Sequence, residues 1–166
     1  YERLKPFVDG DDRALVEIRL ATLAARDGRA RAARDVLRRY VNHKVHGIEA
    51  RFALLGVTRA LGEKSEYRSM VRAFVDAYPS SPLAEEALND LGTHLILEDE
   101  DAQAAAIFRD IADRYPTGRF GERAAWKAGW WAYRQDNYAE AIRMFERGAA
   151  SFPRSDYRPA WLYWSA

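Results

Sequence analysis

Apolar residues along this chain recur mainly at three- and four-residue steps. The clearest run is residues 138–151, where Tyr138, Ala141, Ile142, Phe145 and Ala149 are expected to form the buried stripe of a helix. Pro153 closes it, having no N–H with which to continue. The same logic predicts helices near 11–27, 30–42, 48–61, 65–77, 83–98, 101–114 and 120–135, with none of the chain read as strand. Gly28 and Gly62 mark the first two inter-helix turns, and Gln135-Asp136-Asn137 marks the last.

The pattern repeats. Laying residues 84–116 over 121–153 at an offset of 37, without a gap, superposes Gly92 on Gly129, Ala104 on Ala141, Phe108 on Phe145, Ala112 on Ala149 and Pro116 on Pro153. A further step back puts Tyr78-Pro79 on Tyr115-Pro116. The units run near 11–45, 47–82, 84–119 and 121–156, the first more degenerate, with a truncated unit from 157. One such pair cannot bury its apolar stripe alone, so neighbours must stack, and residues 1–166 are expected to form a single repeat domain.

The spacing of Gly, Ala, Phe and Pro in these two copies resembles the tetratricopeptide repeat. The resemblance implies an all-α, right-handed solenoid of helix pairs, with small residues where the helices of a pair cross and Phe filling the gap to the next pair. The departure is a period of about 37 residues against the family's about 34, and the surplus is expected in the connections YPSSPLAEEA and YPTGRFGERA.

A narrower resemblance lies in residues 124–166, AAWKAGWWAYRQDNYAEAIRMFERGAASFPRSDYRPAWLYWSA. This run is similar to the helical superhelix of bacterial soluble lytic murein transglycosylases, through Gly129, Trp130, Tyr133, Arg134, Tyr138, Ala141, Phe145 and Glu146. The match continues with Pro153, Ser155, Asp156, Tyr157, Pro159, Leu162, Tyr163, Trp164 and Ala166. It implies a non-catalytic repeat region of an enzyme that cleaves peptidoglycan glycan strands to 1,6-anhydro ends. The catalytic glutamate would stand in a lysozyme-like domain outside these residues. No catalytic residue is carried over; Glu146 reads as an exposed helical charge. The alternative is a stand-alone tetratricopeptide scaffold of outer-membrane assembly or Tol–Pal type, whose YPxSxxAxxA texture appears here as YPSSPLAEEA. Either reading implies a periplasmic or cell-envelope location, with peptidoglycan strands, envelope proteins or the parent's own catalytic domain as partners.

Composition narrows the remaining chemistry. Lys and Arg number 26 against 25 Asp and Glu, a net charge of +1 that argues against a nucleic-acid binder. With 13% aromatic and 48% hydrophobic residues, the chain has enough apolar surface to fold. No apolar run reaches the about 20 residues of a membrane span, and residues 1–8 lack the apolar core of a signal peptide, so an exported parent would carry its leader upstream. Cysteine is absent, which removes disulfides and thiolate chemistry. Basic residues cluster early, as Arg26, Arg29, Arg31, Arg34, Arg38 and Arg39, in the pattern of a solvated helical face.

His43 and His46 supply half a metal site with no third ligand in view, and read as loop and capping residues. The acidic run Glu98-Asp99-Glu100-Asp101 lacks the central glycine of a calcium loop and suits a helix N-terminus instead. No metal or cofactor is therefore expected. The most informative feature is aromatic. If the first helix of each pair lines the groove, as the tetratricopeptide resemblance implies, then Arg123, Trp126, Lys127, Trp130, Tyr133 and Arg134 face it. Their counterparts one unit earlier are Glu86, Asn89, Asp90, Thr93, Ile96 and Leu97. Such rings either stack on a ligand, with arginine meeting carboxylates, or pack against neighbouring helices or a further domain.

Overall fold

The structure, a computed structural model, describes residues 10–166. The reading of residues 1–8 falls outside them. Among the described residues every regular element is a helix: α1 (Gly10–Arg26), α2 (Ala30–Arg38), α3 (Gly47–Ala60), α4 (Lys64–Ala77), α5 (Pro82–Leu97), α6 (Asp101–Arg114), α7 (Gly121–Arg134), α8 (Tyr138–Ser151) and α9 (Arg158–Trp164). These are the helix pairs the periodicity predicts, plus the first helix of a further unit. Two readings differ. Tyr138 and Ile142, expected in the buried stripe of α8, are exposed, Tyr138 donating its hydroxyl to Asp136, while Met144 is buried. α2 stops at Arg38 because residues 39–46 turn back instead: the Arg51 guanidinium donates to the Val41 carbonyl (3.0 Å) and to Asn42 Oδ1 (3.0 Å). Gly47 then lies so close to the Val41 oxygen that a Cβ would sit 2.9 Å from it.

The same turn recurs inside all four hairpins. Gly28 (φ +82°), Gly62 (+75°), Asp99 (+58°) and Asp136 (+56°) hold its left-handed position. Glycine takes this conformation without cost, and aspartate is among the few residues that tolerate it. The spacing is 34 residues from Gly28 to Gly62 and 37 for the next two steps, so the usual tetratricopeptide period survives in the first step. The surplus enters in two ways. Residues 115–120 form a long connection, whereas 78–81 is short and α5 runs to 16 residues.

The chain divides into two compact units, Tyr1–Pro79 and Ser80–Ala166, with the break at the Tyr-Pro that closes the second helix pair. In the first unit α1 packs on α2 and α3, and α3 on α4. Ile18, Ala21, Ala33, Leu37, Ala50 and Val57 form its core. The Arg34 guanidinium reaches both oxygens of Glu63 at 2.9 Å, and the Tyr40 hydroxyl donates to Glu17 at 2.6 Å. Burial, with the Glu17 carboxylate, raises the Tyr40 phenol above its ordinary pKa. The other early arginines, Arg26, Arg29, Arg31, Arg38 and Arg39, are exposed.

In the second unit each helix from α5 to α9 packs on the next. A Cβ at Gly92 would lie 3.0 Å from the Phe108 ring, and one at Gly129 would lie 2.5 Å from the Phe145 ring. The sequence reading put phenylalanine between pairs; its ring lies first on the glycine of its own pair. The glycine permits the close crossing and the ring fills it, leaving Phe108 and Phe145 at 1% and 0% exposure. At the next junction the sizes invert: Trp161 of α9 is fully buried against Gly148 of α8, where a Cβ would lie 2.8 Å from the indole. Thirty-seven residues earlier the equivalent positions are Ile111 and Ala124, also buried.

A candidate docking face on the second unit

The first helices α5, α7 and α9 are joined side by side through named contacts. Glu85 of α5 is buried and its carboxylate accepts the backbone N–H groups of Arg119 (3.1 Å) and Phe120 (2.7 Å). These amides open α7 and have no earlier carbonyl to bond. A negative charge also suits that helix end. One turn further along α7, the Arg123 guanidinium donates to Asn89 Oδ1 (2.9 Å) and Thr93 Oγ1 (3.2 Å), and covers the Phe108 ring at 5.4 Å. Arg123 therefore ties α7 to α5.

Trp126, Trp130 and Tyr133 form a row along α7. Trp126 and Trp130 stack at 5.8 Å and 10°, and Trp130 and Tyr133 at 5.6 Å and 19°. α9 closes on this row: Tyr157 lies 5.9 Å from Trp126, and Trp164 meets Trp130 edge-on at 5.4 Å and Tyr133 at 4.9 Å. All three rings of the row are half-buried. Helix packing therefore uses much of their surface while each keeps a solvent edge.

Lys127 and Arg134 stand on a different side of α7. With Trp130 and Trp131 they wall a cleft of about 120 Å³, whose other side is Ile96 of α5 and Asp101, Ala104, Ala105 and Phe108 of α6. Arg134 lies beside the Trp131 ring, 6.0 Å from its centroid. The six residues read from the sequence thus fall into three settings: Arg123 on α5, Trp126 and Tyr133 against α9, and Lys127 and Arg134 at the cleft. Trp130 belongs to the last two. Sequence reasoning missed Trp131, Asp101 and Trp164 as members of this surface. The signal for Trp131 was its four-residue step from Lys127, and Asp101 was read only as a helix-terminal charge.

The second helices present another surface. Glu140 of α8 holds Arg109 of α6 at 2.6 Å and Arg143 at 2.7 Å, while Asp113 of α6 holds Arg143 at 3.3 Å and also pairs with Arg147. Hydrogen bonds from Arg143, with Arg109 beside it, hold the Glu140 carboxyl below its ordinary pKa, and Glu140 with Asp113 raises Arg143. In the first unit, His43 and His46 stack at 5.8 Å in the α2–α3 connection, with His46 next to α3 and 3.4 Å from Glu49. Among the described residues no group of three or more His, Asp or Glu side chains is arranged to hold a metal ion. No helix there is long and apolar enough to cross a membrane.

Comparison with known proteins agrees with this architecture. Residues 123–155 match the tetratricopeptide repeat. That stretch is α7, α8 and the turn after them. No curated protein matches the chain in sequence. Among solved structures, MamA of AMB-1 is 14% identical, with a TM-score of 0.55 over 94% of this chain and 82% of that one. A Podosopora anserina putative kinesin light chain with nearly identical TPR-like repeats is 12% identical, with a TM-score of 0.57 over 95% and 86%. PilW, a widely conserved type IV pilus biogenesis factor, is 19% identical, with a TM-score of 0.53 over 87% of this chain and 64% of that one. At these identities the likeness is one of fold, and the chain has a tetratricopeptide-type helical repeat fold.

Proposed function

We propose that this chain is a non-catalytic docking scaffold of the bacterial cell envelope, the helical repeat region of a peptidoglycan lytic transglycosylase. The observation that carries the reading is the run from Gly129 to Ala166, whose residues match that family's repeat and its continuation into the next helix. Those residues build α8, α9 and the aromatic seam between α7 and α9. A scaffold that binds proteins or glycan peptides uses a rigid, half-buried aromatic surface well, because the rings are already ordered before the partner arrives. The periplasm or envelope location belongs to the same proposal.

Two measurements test it. Purified chain incubated with murein sacculi is expected to release no 1,6-anhydro products by mass spectrometry; their release would overturn the non-catalytic role. Reading the gene beyond Ala166 tests the parent: a glutamate-bearing lysozyme-like domain supports the transglycosylase. A stop codon after one further helix supports the second reading, a free-standing envelope scaffold. That reading is favoured by the YPSSPLAEEA connection and by the likeness in fold to a pilus biogenesis factor.

A further inference from the structure

We infer that the cleft between α6 and the C-terminal half of α7 takes an acidic peptide segment, seating one bulky apolar side chain between two carboxylates held by Lys127 and Arg134. The inference rests on the docking-scaffold reading and names the chemistry of the partner. The cleft is about 120 Å³. A cavity of about 150 Å³ lined by apolar side chains accepts benzene, so a leucine-sized group fits. Its floor is apolar: Ala104, Ala105 and Phe108 are buried, and Trp130 and Trp131 rise at its side.

Lys127 and Arg134 are exposed on its rim, and neither has an ion-pair partner among the described residues. The positions three and four residues away, where a helix would place a neutralising acid, hold Arg123, Ala124, Trp130 and Trp131 around Lys127. Around Arg134 they hold Trp130, Trp131, Asn137 and Tyr138. None is an acid, in a half of the chain where acids outnumber bases, 14 to 10 over residues 84–166. The cations therefore attract locally, against a background that repels polyanions in general. Seven residues along α7 separate them by about 10 Å of helix axis, leaving the apolar mouth between. Arginine adds paired hydrogen bonds to a carboxylate. Asp101 is the one acid lining the cleft; it opposes a carboxylate on the α6 side and so directs the partner's acids toward α7.

The test is fluorescence anisotropy of the chain with a labelled peptide EELFDE, its neutral counterpart QQLFNQ and its basic counterpart KKLFRK. The acidic peptide is expected to bind about four- to twenty-five-fold more tightly than the neutral one, from two charge pairs at about two- to fivefold each. Lys127→Glu combined with Arg134→Glu should lose the acidic peptide and gain the basic one. Asp101→Asn should tighten the acidic peptide about two- to fivefold. Equal binding of EELFDE and QQLFNQ, or unchanged binding after the double reversal, overturns the inference. So does binding of murein oligosaccharides at Trp130 with no saturable peptide binding up to about 1 mM. None of these outcomes bears on the sacculus assay or the gene beyond Ala166, so the two readings fail separately.

Discussion

On the second-helix face of the unit from Ser80, arginines and carboxylates interleave between α6 and α8: Glu140 takes Arg109 and Arg143, and Asp113 takes Arg143 and Arg147. On α7, the first helix of the same pair, no acid stands three or four residues from Lys127 or Arg134, and both cations lack an ion pair among the described residues. The difference shows two uses of surface charge. One face spends its charges within the chain, fastening repeat to repeat. Under the proposed docking role, the other keeps rings and cations for an outside partner. Stability comes from neither, since exposed ion pairs contribute about 0.2–1 kcal/mol each. It lies beneath both faces, at the crossings of Gly92 with Phe108 and Gly129 with Phe145.

Breaking that crossing should therefore have the largest effect. Phe145→Ala opens a cavity at a fully buried position and should cost about 3–5 kcal/mol. Gly129→Leu places a side chain where even a Cβ would lie 2.5 Å from the Phe145 ring, an overpacking of about 1–3 kcal/mol or more. Gly129→Ala should cost more than Gly92→Ala, because the Phe108 ring is met at 3.0 Å. Urea denaturation measures all four. Wild-type midpoints for Phe145→Ala and Gly129→Leu would mean the 37-residue register is wrong.

Next in size is the joint between α5 and α7. Replacing Glu85 by Ala leaves the Arg119 and Phe120 amides without their acceptor. Hydrogen bonds involving a charged group are worth about 1.5–3 kcal/mol, so a loss of that order is expected, with a smaller one for Glu85→Gln. Amide hydrogen exchange should locate it, with faster exchange at Arg119 and Phe120. Exchange unchanged at those two amides would remove Glu85 from the joint.

Much of this was legible before the structure. The 37-residue copies place Gly92, Gly129, Ala104, Ala141, Phe108 and Phe145 correctly, because close packing between helices demands residue size at fixed steps. Turn chemistry was legible at Gly28 and Gly62, and the aspartates in the same left-handed position were hidden, since Asp99 lay in what read as a plain acidic run. The early end of α2 was hidden too. It depends on Arg51 reaching back to Val41 and Asn42, and no helical period encodes a bond made outside the helix. At the candidate site, the shared face of Trp126, Trp130 and Tyr133 follows from helix geometry. The cleft does not, because Asp101 and Ala104 approach Lys127 and Arg134 only through the packing of α6 on α7.

The ion network of the second-helix face should respond weakly and with a definite sign. Glu140 has a folded pKa lowered from 4.5 by Arg143 and Arg109. Its contribution is therefore fully present above pH 4.5 and is lost as the pH falls through the lower, folded value. Glu140→Gln should cost no more than about 1 kcal/mol at pH 7, and wild type and variant should converge in stability as the medium is acidified below that range. Salt should narrow the gap as well. A gap that widens on acidification would contradict the assignment.

The smallest effect on stability is expected where the effect on binding is largest. Lys127 and Arg134 are exposed and make no ion pair among the described residues, so reversing both to Glu breaks no ion pair and removes only the contact of Arg134 with the Trp131 ring. An exposed contact of that kind is worth about 0.5–1 kcal/mol, so the double reversal should lie within about 1 kcal/mol of neutral. Arg143→Glu is the control from the other face, at similar exposure: it breaks the pairs with Glu140 and Asp113 and brings three carboxylates together. Thermal melts at low salt should rank wild type and the Lys127/Arg134 double reversal together, with Arg143→Glu below both. A double reversal that destabilises as much as Arg143→Glu would mean that α7's cations serve the fold. The contrast between the two faces would then be one of geometry and not of use.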